Sequence, residues 1–357
     1  MSPCNFYYFK KMGVNDMRIL FIGFGNVAKE TARILNEKEL YTGLNLAHIV
    51  VGIFTQRHGG VENTKGLNLK SVLNNLKERN SLVLEDHELS CLTPLEAAQK
   101  LDYDVLVELS ALSISEKGEP ASSYISAALE RGKSVVSANK GPVAFNYHKL
   151  KKLADEKGAK YMFESAVMDG APVFNLVQRC MKGCTIKGFS GILNGTTNYI
   201  LSYMENGGTF EEGVRQAQEA GIAESDPTMD TDGWDPAAKT AAFANVFMDA
   251  EITPYDVERS GISGVTPEMC QDALKRGKRL KLMCRAYNVD GKITASVKVE
   301  EVNKDDVMAL ISHFGAAIRI ESDLMHTNTI IQDRPDLLDT AYGVIEDLIS
   351  ISDKGPY

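Results

Sequence analysis

The chain has 357 residues, 44% hydrophobic and 24% charged, with a net charge of −9. That balance belongs to an ordinary globular protein long enough for two domains. The negative charge and the absence of any Lys/Arg block exclude a nucleic-acid partner, and the longest apolar runs, 19–24 and 47–54, have strand length and exclude a membrane span.

Residues 1–16, "MSPCNFYYFKKMGVND", show no apolar core or cleavage pattern of a signal peptide, so an extension before the first strand and a cytoplasmic protein are expected. Six cysteines occur. Cys180 and Cys184 are close in sequence, but no second Cys or His pair follows at zinc spacing, and reduced, mostly buried thiols are expected.

From Met17 the chain alternates short β-rich runs with helical ones. "RILFIG" predicts a strand, and "NVAKETARILNE" predicts a helix with Val27, Thr31, Ile34 and Leu35 on one stripe. "LAHIVVGIF" is apolar throughout, as in a sheet covered on both faces. "TPLEAAQKL" opens a helix with Thr93 as N-cap and Pro94 at the first position. "YDVLVELS", "KSVVSA" and "AKYMFESAV" predict further strands, separated by the helices of "PASSYISAALERG" and "FNYHKLKKLADEKG". This alternation gives an α/β fold with a Rossmann-type, doubly wound parallel sheet over residues 17–168.

The pattern changes after about Asp169. "TIKGFSGIL" predicts a strand, "NYILSYMEN" a helix, and "TFEEGVRQAQEAG" a helix with a Thr209/Glu212 capping box ended by Gly221. "DPAAKTAAFANVFMD" and "TPEMCQDALKRG" are helical, and "RLKLMCRAYNVDGKITASVKVEEV" predicts two strands turning at Asp290-Gly291. A second, α+β domain over 169–319 is expected, packed tightly against the first because no Pro, Gly or Ser-rich linker intervenes. The segment 320–357 is expected to fold back onto the first domain.

"GFGNVA", Gly23 to Ala28, follows a strand and opens a helix, the context a dinucleotide fingerprint requires. Gly23 permits the tight turn, Gly25 lets the backbone approach a pyrophosphate, and Ala28 packs where helix meets strand. The helix N-terminus offers unpaired N–H groups to the phosphates. No acid ends the second strand, "IFTQRHGG", and none appears before Glu62. Arg57 stands where a 2′-phosphate would need a cation. That favours NADP, or use of both NADP and NAD, against a simple solvated loop cation.

"AESDPTMDTDGWDPAAKTAA", 223–242, crowds Glu224, Asp226, Asp230, Asp232 and Asp235 ahead of Lys239. A calcium loop fails here, because the alignment puts Thr228 at the first ligand and Lys239 at the bidentate Glu position. Asp235 reads as an N-cap with Pro236 at the first helical position, which places Lys239 in the first turn, an unfavourable place for a cation. Such a lysine is either paired with carboxylates or has its pKa lowered for general acid–base work, and spacing leaves both readings open beside a plain acidic surface. Asp226 and Asp232 read as solvated, with Asp226 shaping the turn at Pro227.

With "GFGNVA", "DVLVELS", "SANKGPVA", "ILNGTTNYI", "AQEAGIAESDPTMDTDGWDPAAK" and "GVTPEMCQDALKRGKRLKL" in this order, the chain from Met17 onward resembles the homoserine dehydrogenases. The resemblance implies NAD(P)-dependent interconversion of L-homoserine and L-aspartate 4-semialdehyde on the way to threonine and methionine. It implies a homodimer joined through the second, substrate-binding domain. By position, Lys239 and Lys140 match catalytic lysines and Asp235 an orienting carboxylate. Glu224 and Asp230 match substrate-binding acids, joined by Asn194, Gly195 and Thr196 of "NGTTN". Cofactor contacts fall on Gly23, Phe24, Gly25, Asn26 and Val27, and on Arg57, Ser110, Ser137, Asn139 and Lys140.

Two stretches depart from the family pattern. "ESAVMDGAPVF" carries Met168 and Asp169 where the family has a glycine-rich turn binding a monovalent cation such as Na+, for which Glu164 and Val167 remain. Near the C-terminus, "IIQDRPDLLDTAYGVIEDL" replaces a glycine-rich turn beside the cofactor. With no regulatory or kinase segment in view, little inhibition by threonine is expected. A relative acting on another small hydroxy or amino acid, and a dinucleotide sensor, are the competing readings; the intact set of acids and lysines argues against the sensor.

Overall fold

The computed structural model describes residues 16–37, 40–41, 44, 46–82 and 89–353. All but Asp16 of the expected N-terminal extension lies outside the described residues.

The first half builds β1 (Met17–Ile22), α1 (Asn26–Asn36), β2 (His48–Thr55), β3 (Gly59–Glu62), α2 (Leu69–Arg79), α3 (Pro94–Lys100), β4 (Val105–Glu108), α4 (Ala121–Glu130), β5 (Ser134–Ser137), α5 (Lys140–Lys157) and β6 (Tyr161–Met162). Its sheet has the order β3-β2-β1-β4-β5-β6. Every pairing from β2 to β6 is parallel. The period-two alternation of a strand assigns the two faces. Ile19, Phe21, Val105 and Val107 pack under α1, while Leu20, Ile22 and Leu106 pack under α4 and α5. Helices on both faces make the sheet doubly wound.

Three details differ from the sequence expectation. The stretch after β2 turns back as antiparallel β3, where a Cβ on Gly60 would stand 2.1 Å from the Phe54 ring, so only glycine allows this edge pairing. The strand expected over "AKYMFESAV" shortens to β6, because 164–166 already form a 3₁₀ turn. Helix α5 begins at Lys140, capped by the Asn139 side chain on the Gly141 N–H.

The second half contributes α6 (Val173–Asn175), β7 (Ile186–Ile192), α7 (Gly195–Glu205), α8 (Phe210–Glu219), α9 (Thr228–Thr231), α10 (Trp234–Met248), β8 (Glu258–Arg259), α11 (Pro267–Lys275), β9 (Lys278–Val289), β10 (Lys292–Asn303), α12 (Val307–Leu310), β11 (Ala316–Ser322), β12 (Thr327–Gln332) and α13 (Leu337–Ser352). The sheet runs β12-β11-β7-β9-β10-β8 and is antiparallel except for the β8–β10 pair. Asp290 and Gly291 both take positive φ, 52° and 84°, as a two-residue hairpin turn requires. The boundary expected near 320 falls inside β11: β12 still belongs to the second sheet, and only α13 crosses back to pack on α1.

Helix α10 lies between the halves. Ala237, Ala238, Ala241, Ala242 and Ala244 are fully buried, and their small side chains let it lie against α5 on one side and β7, β9 and β10 on the other. A chain of rings continues the core across the boundary, from Tyr147 to Phe163 (5.8 Å), Phe174 (5.0 Å), Phe243 (4.9 Å) and Phe189 (5.7 Å). The domains share one hydrophobic core, so α10 is held rigidly where they meet.

Candidate active site

The glycine turn has the stereochemistry its sequence suggests. Gly23 has φ +85°, and a Cβ there would stand 2.4 Å from the Leu109 carbonyl carbon. Gly25, at the N-cap of α1, would place a Cβ in open space, and no side chain caps the helix. Its first N–H groups, on Asn26 and Val27, therefore face an open cradle with the positive end of the helix dipole behind them, which fits the phosphates of a dinucleotide. Phe24 is turned into the core, edge-on to Phe21 at 5.7 Å, and has only its backbone to offer a ligand. Arg57 is exposed at the β2–β3 turn. Glu62, the first acid after β2, accepts a 2.6 Å hydrogen bond from the Ser90 hydroxyl.

At the ends of β4 and β5, Ser110, Ser137 and Asn139 belong to one buried network. The Ser137 hydroxyl donates to Glu108 (2.9 Å) and accepts from the Asn139 N–H (3.1 Å). Asn139 Nδ2 donates to the Ser110 carbonyl at 3.1 Å. Glu108 was not singled out from the sequence, since one acid at the end of an apolar strand carries no periodic signal.

The acidic stretch resolves into unlike parts. Helix α10 starts at Trp234 after Gly233, whose φ is +81°, so Asp235 is not the N-cap; it sits inside the first turn, where the helix dipole favours a carboxylate. Lys239 follows one turn later. Its ammonium meets Asp235 at 2.9 Å and donates to the Leu193 carbonyl at 2.8 Å. Lys140, at the start of α5, meets the other Asp235 oxygen at 3.1 Å. Asn194, which caps α7, donates to both Asp230 (2.7 Å) and Asp235 (2.9 Å). One carboxylate thus bridges two lysines from different domains.

Electrostatics decide between the two readings of Lys239. Burial by itself would lower its pKa, but Asp235, Asp169 and Asp230 outweigh burial and raise it above the ordinary lysine value. Burial opposes ionisation of Asp235, yet Lys239 and Lys140 hold it well below the usual carboxylate range. Asp230 is pushed up by burial and by the charge of Asp235, against hydrogen bonds from Asn194 and Thr196. Lys239 is a paired ammonium.

The remaining expected residues are spread more widely. Thr196 donates to the Ile222 carbonyl at 3.4 Å, and a Cβ on Gly195 would stand 3.0 Å from the Phe314 carbonyl oxygen. Glu224 is exposed, and its backbone carbonyl accepts from Gln218 at 3.0 Å; its carboxylate is not joined to the lysine network. Asp226 is exposed and folds its own turn, accepting from Thr228 N–H (3.1 Å) and hydroxyl (2.7 Å), while Asp232 is exposed. Glu164 accepts from the Phe174 and Asn175 N–H groups at 2.9 and 2.7 Å, and burial pushes it up to about 7 against those bonds. Its side chain is thus built in as a cap for α6, and buried Val167 has only its backbone to offer a cation. Among the described residues no group of three or more His, Cys, Asp or Glu is arranged to hold a metal ion. Asp169, which departs from the family's cation turn, is exposed, and its charge acts on Lys239 from a turn in which Met168, Asp169 and Gly170 have φ of 57°, 46° and 77°.

A glycine turn opening α1 on one domain, joined through Lys140 and Asp235 to a charged lysine on the other, has the parts that an oxidoreductase using a nicotinamide dinucleotide needs. Comparison with known proteins narrows this. The family described as homoserine dehydrogenase matches residues 172–349, and its NAD-binding domain matches 23–164. The NAD(+)-dependent homoserine dehydrogenase of Pseudomonas canavaninivorans is 34% identical, covering 95% of this chain and 97% of that protein. The Methanocaldococcus jannaschii homoserine dehydrogenase is 33% identical over 94% and 98% of the two chains. Among solved structures, that of Thermoplasma acidophilum homoserine dehydrogenase matches with TM-score 0.80 at 27% identity, covering 95% of this chain and 99% of that one. A hyperthermophilic archaeal homoserine dehydrogenase in complex with NADPH matches with TM-score 0.80 at 28% identity over 96% and 99%. The chain belongs to the homoserine dehydrogenase family of NAD(P)-dependent oxidoreductases, which interconvert L-homoserine and L-aspartate 4-semialdehyde. No helix among the described residues is long and apolar enough to cross a membrane.

Proposed function

We propose that Lys239 carries the proton of this reaction. The observation that supports the reading is the Asp235 carboxylate held between Lys239 and Lys140 at 2.9 and 3.1 Å. The bound dinucleotide supplies the hydride chemistry at the carbinol carbon. As a paired ammonium, Lys239 is suited to donate a proton to the oxygen of the semialdehyde as it becomes a hydroxyl. In the oxidative direction Lys239 must first lose its proton before it can accept one from homoserine. Lys140 polarises the same oxygen, and Asp235 holds both ammonium groups in register. Glu224 and Asp230 are assigned to the substrate ammonium, with Asn194 and Thr196 orienting Asp230.

Arg57 is assigned to a 2′-phosphate, since Glu62 is engaged with Ser90. Arg57→Ala is expected to raise the KM for NADP+ by roughly three- to tenfold and leave that for NAD+ unchanged. Equal effects on both cofactors refute the assignment. The protein is placed in the cytoplasm, in threonine and methionine biosynthesis. A homodimer is assigned to the second sheet, whose face away from α10 is only partly covered by α12. That face carries Arg285–Glu300 and Arg319–Asp306 ion pairs at 2.8 and 2.6 Å beside Ile331, which is 49% exposed. Sedimentation of a single-chain mass refutes the dimer.

Nicotinamide absorbance followed with homoserine, aspartate semialdehyde and a panel of small hydroxy acids tests the substrate. Homoserine and the semialdehyde are expected to turn over, and activity confined to another hydroxy acid refutes this reading.

A further inference from the structure

Glu108 is a buried acid that the reaction outlined above does not use. It ends β4 in register with Ile22 of β1 and Ser137 of β5, at the C-terminal edge where the strand order reverses direction. Ligands of doubly wound sheets bind across that edge, and the phosphate cradle at Gly23 lies beside it, against the backbone of Leu109 and Ser110. Glu108 is fully buried and touches no cation. Its first oxygen accepts from the Ser110 N–H at 2.8 Å and from the Ser110 hydroxyl, and its second accepts from the Ser137 hydroxyl at 2.9 Å. Burial pushes its pKa up against those bonds.

The network does not stop at the serines. Ser137 accepts from the Asn139 N–H at 3.1 Å, and Asn139 donates to the Ser110 and Ala111 carbonyls at 3.1 and 3.4 Å. The Asn139 side chain then caps α5 through the Gly141 N–H at 3.0 Å, and the first residue of that helix is Lys140. A single carboxylate therefore fixes the turns after β4 and β5 relative to each other. An unpaired buried carboxylate is costly, so such a group persists where the surrounding structure needs its acceptors.

We infer that Glu108 is a positioning residue for the dinucleotide: it draws the turns of Ser110 and Ser137 together and so shapes the nicotinamide end of the cofactor site, touching neither cofactor nor substrate itself. Its effect falls on cofactor binding rather than on homoserine binding, because the substrate acids stand on α9, α10 and the loop before them. Glu108→Gln is the sharpest change. The amide can serve the two Ser110 donors with its oxygen, but its NH2 then faces Ser137. The Ser137 hydroxyl, already accepting from Asn139, must accept a second time and loses its own acceptor.

The inference rests on the site assignment above, so cofactor binding is read without turnover, by fluorescence titration of NADPH, beside the separate KM values. Loss of turnover in Lys239→Ala tests the assignment and leaves Glu108 untouched. For Glu108→Gln, an increase of about tenfold in the NADPH Kd and the dinucleotide KM is expected, with the homoserine KM within about twofold. Ser137→Ala is expected to show the same split, and the double variant to be no worse than the more severe single one. Unchanged NADPH affinity, equal losses for both substrates, or additive losses overturn the inference. Should Glu108→Gln fail to fold, Glu108→Asp, whose shorter side chain draws the carboxylate back from the serines, decides: the same split supports the inference and its absence overturns it.

Discussion

Two lysines of the second domain, Lys239 half-buried and Lys281 fully buried, show how environment sets the state of one residue type. Lys239 touches a carboxylate and is surrounded by two more, so it stays charged although α10 is packed on all sides. Lys281, on β9, is fully buried and reaches only neutral partners, Asn198 Oδ1 at 2.8 Å and the Ile311 carbonyl at 2.6 Å. Burial dominates there, and its pKa falls to about 8, with Glu205 and Arg279 acting in opposite senses. Both lysines brace the junction of β7 and α7, one through Leu193 and the other through Asn198. A carboxylate in contact keeps a lysine charged in the interior; its absence makes a structural tie that works against stability while charged.

Deleting the proposed proton carrier gives the largest effect. Lys239→Ala is expected to lower kcat by a factor of roughly 10²–10⁴, measured by nicotinamide absorbance, while thermal melting shows a folded protein. A loss under tenfold breaks the comparison, because Lys239 is then no more involved than Lys281. Asp235→Asn removes the charge between two lysines and leaves them facing each other, so a destabilisation of about 3–5 kcal/mol in denaturant melts is expected. Unchanged stability would mean that Asp235 does not hold the pair.

Lys281 has the opposite linkage. Its folded pKa, about 8, lies below the unfolded value of 10.5, so between these values the folded chain binds fewer protons and stability rises with pH. Comparing the wild type with Lys281→Met isolates this group. The stability difference should shift in favour of the wild type by about 3 kcal/mol as pH rises from 8 through 10.5, read by urea melts. No relative pH dependence over that range refutes the reading. The smallest effect sharpens the contrast most: Asn198→Asp gives Lys281 the carboxylate it lacks. It should abolish that pH dependence in urea melts, while the bonds from Asn198 Nδ2 to the Ile311 and His313 carbonyls are lost and offset the gain from the new pair.

Much of the architecture was legible in the residues. The unbroken apolar run "LAHIVVGIF" announced a sheet covered on both faces, and "GFGNVA" in strand–helix context announced the tight turn at Gly23 and the start of α1. Where tertiary contacts decide, local pattern failed. Asp235 has the type and position of an N-cap, but Gly233 takes the left-handed conformation that starts the helix two residues earlier, freeing Asp235 for the lysines. Lys281 alternates with buried Leu280 and Leu282 and so reads as solvent-facing; α12 and the loop after it cover that face and bury it. Glu108 and Asp169 matter through partners 29 and 171 residues away in sequence, Ser137 and Thr340, which no local window brings together.

The proton-carrier assignment is tested most directly by the pH dependence of kcat/KM in both directions on the wild-type enzyme. With Lys239 held as an ammonium, semialdehyde reduction should stay flat between about pH 6 and 9, while homoserine oxidation climbs by up to about tenfold per pH unit as the neutral amine becomes available. A reductive rate that falls away with a midpoint near pH 8 would contradict the account, since the proton would then come from a lysine in the state of Lys281 rather than that of Lys239.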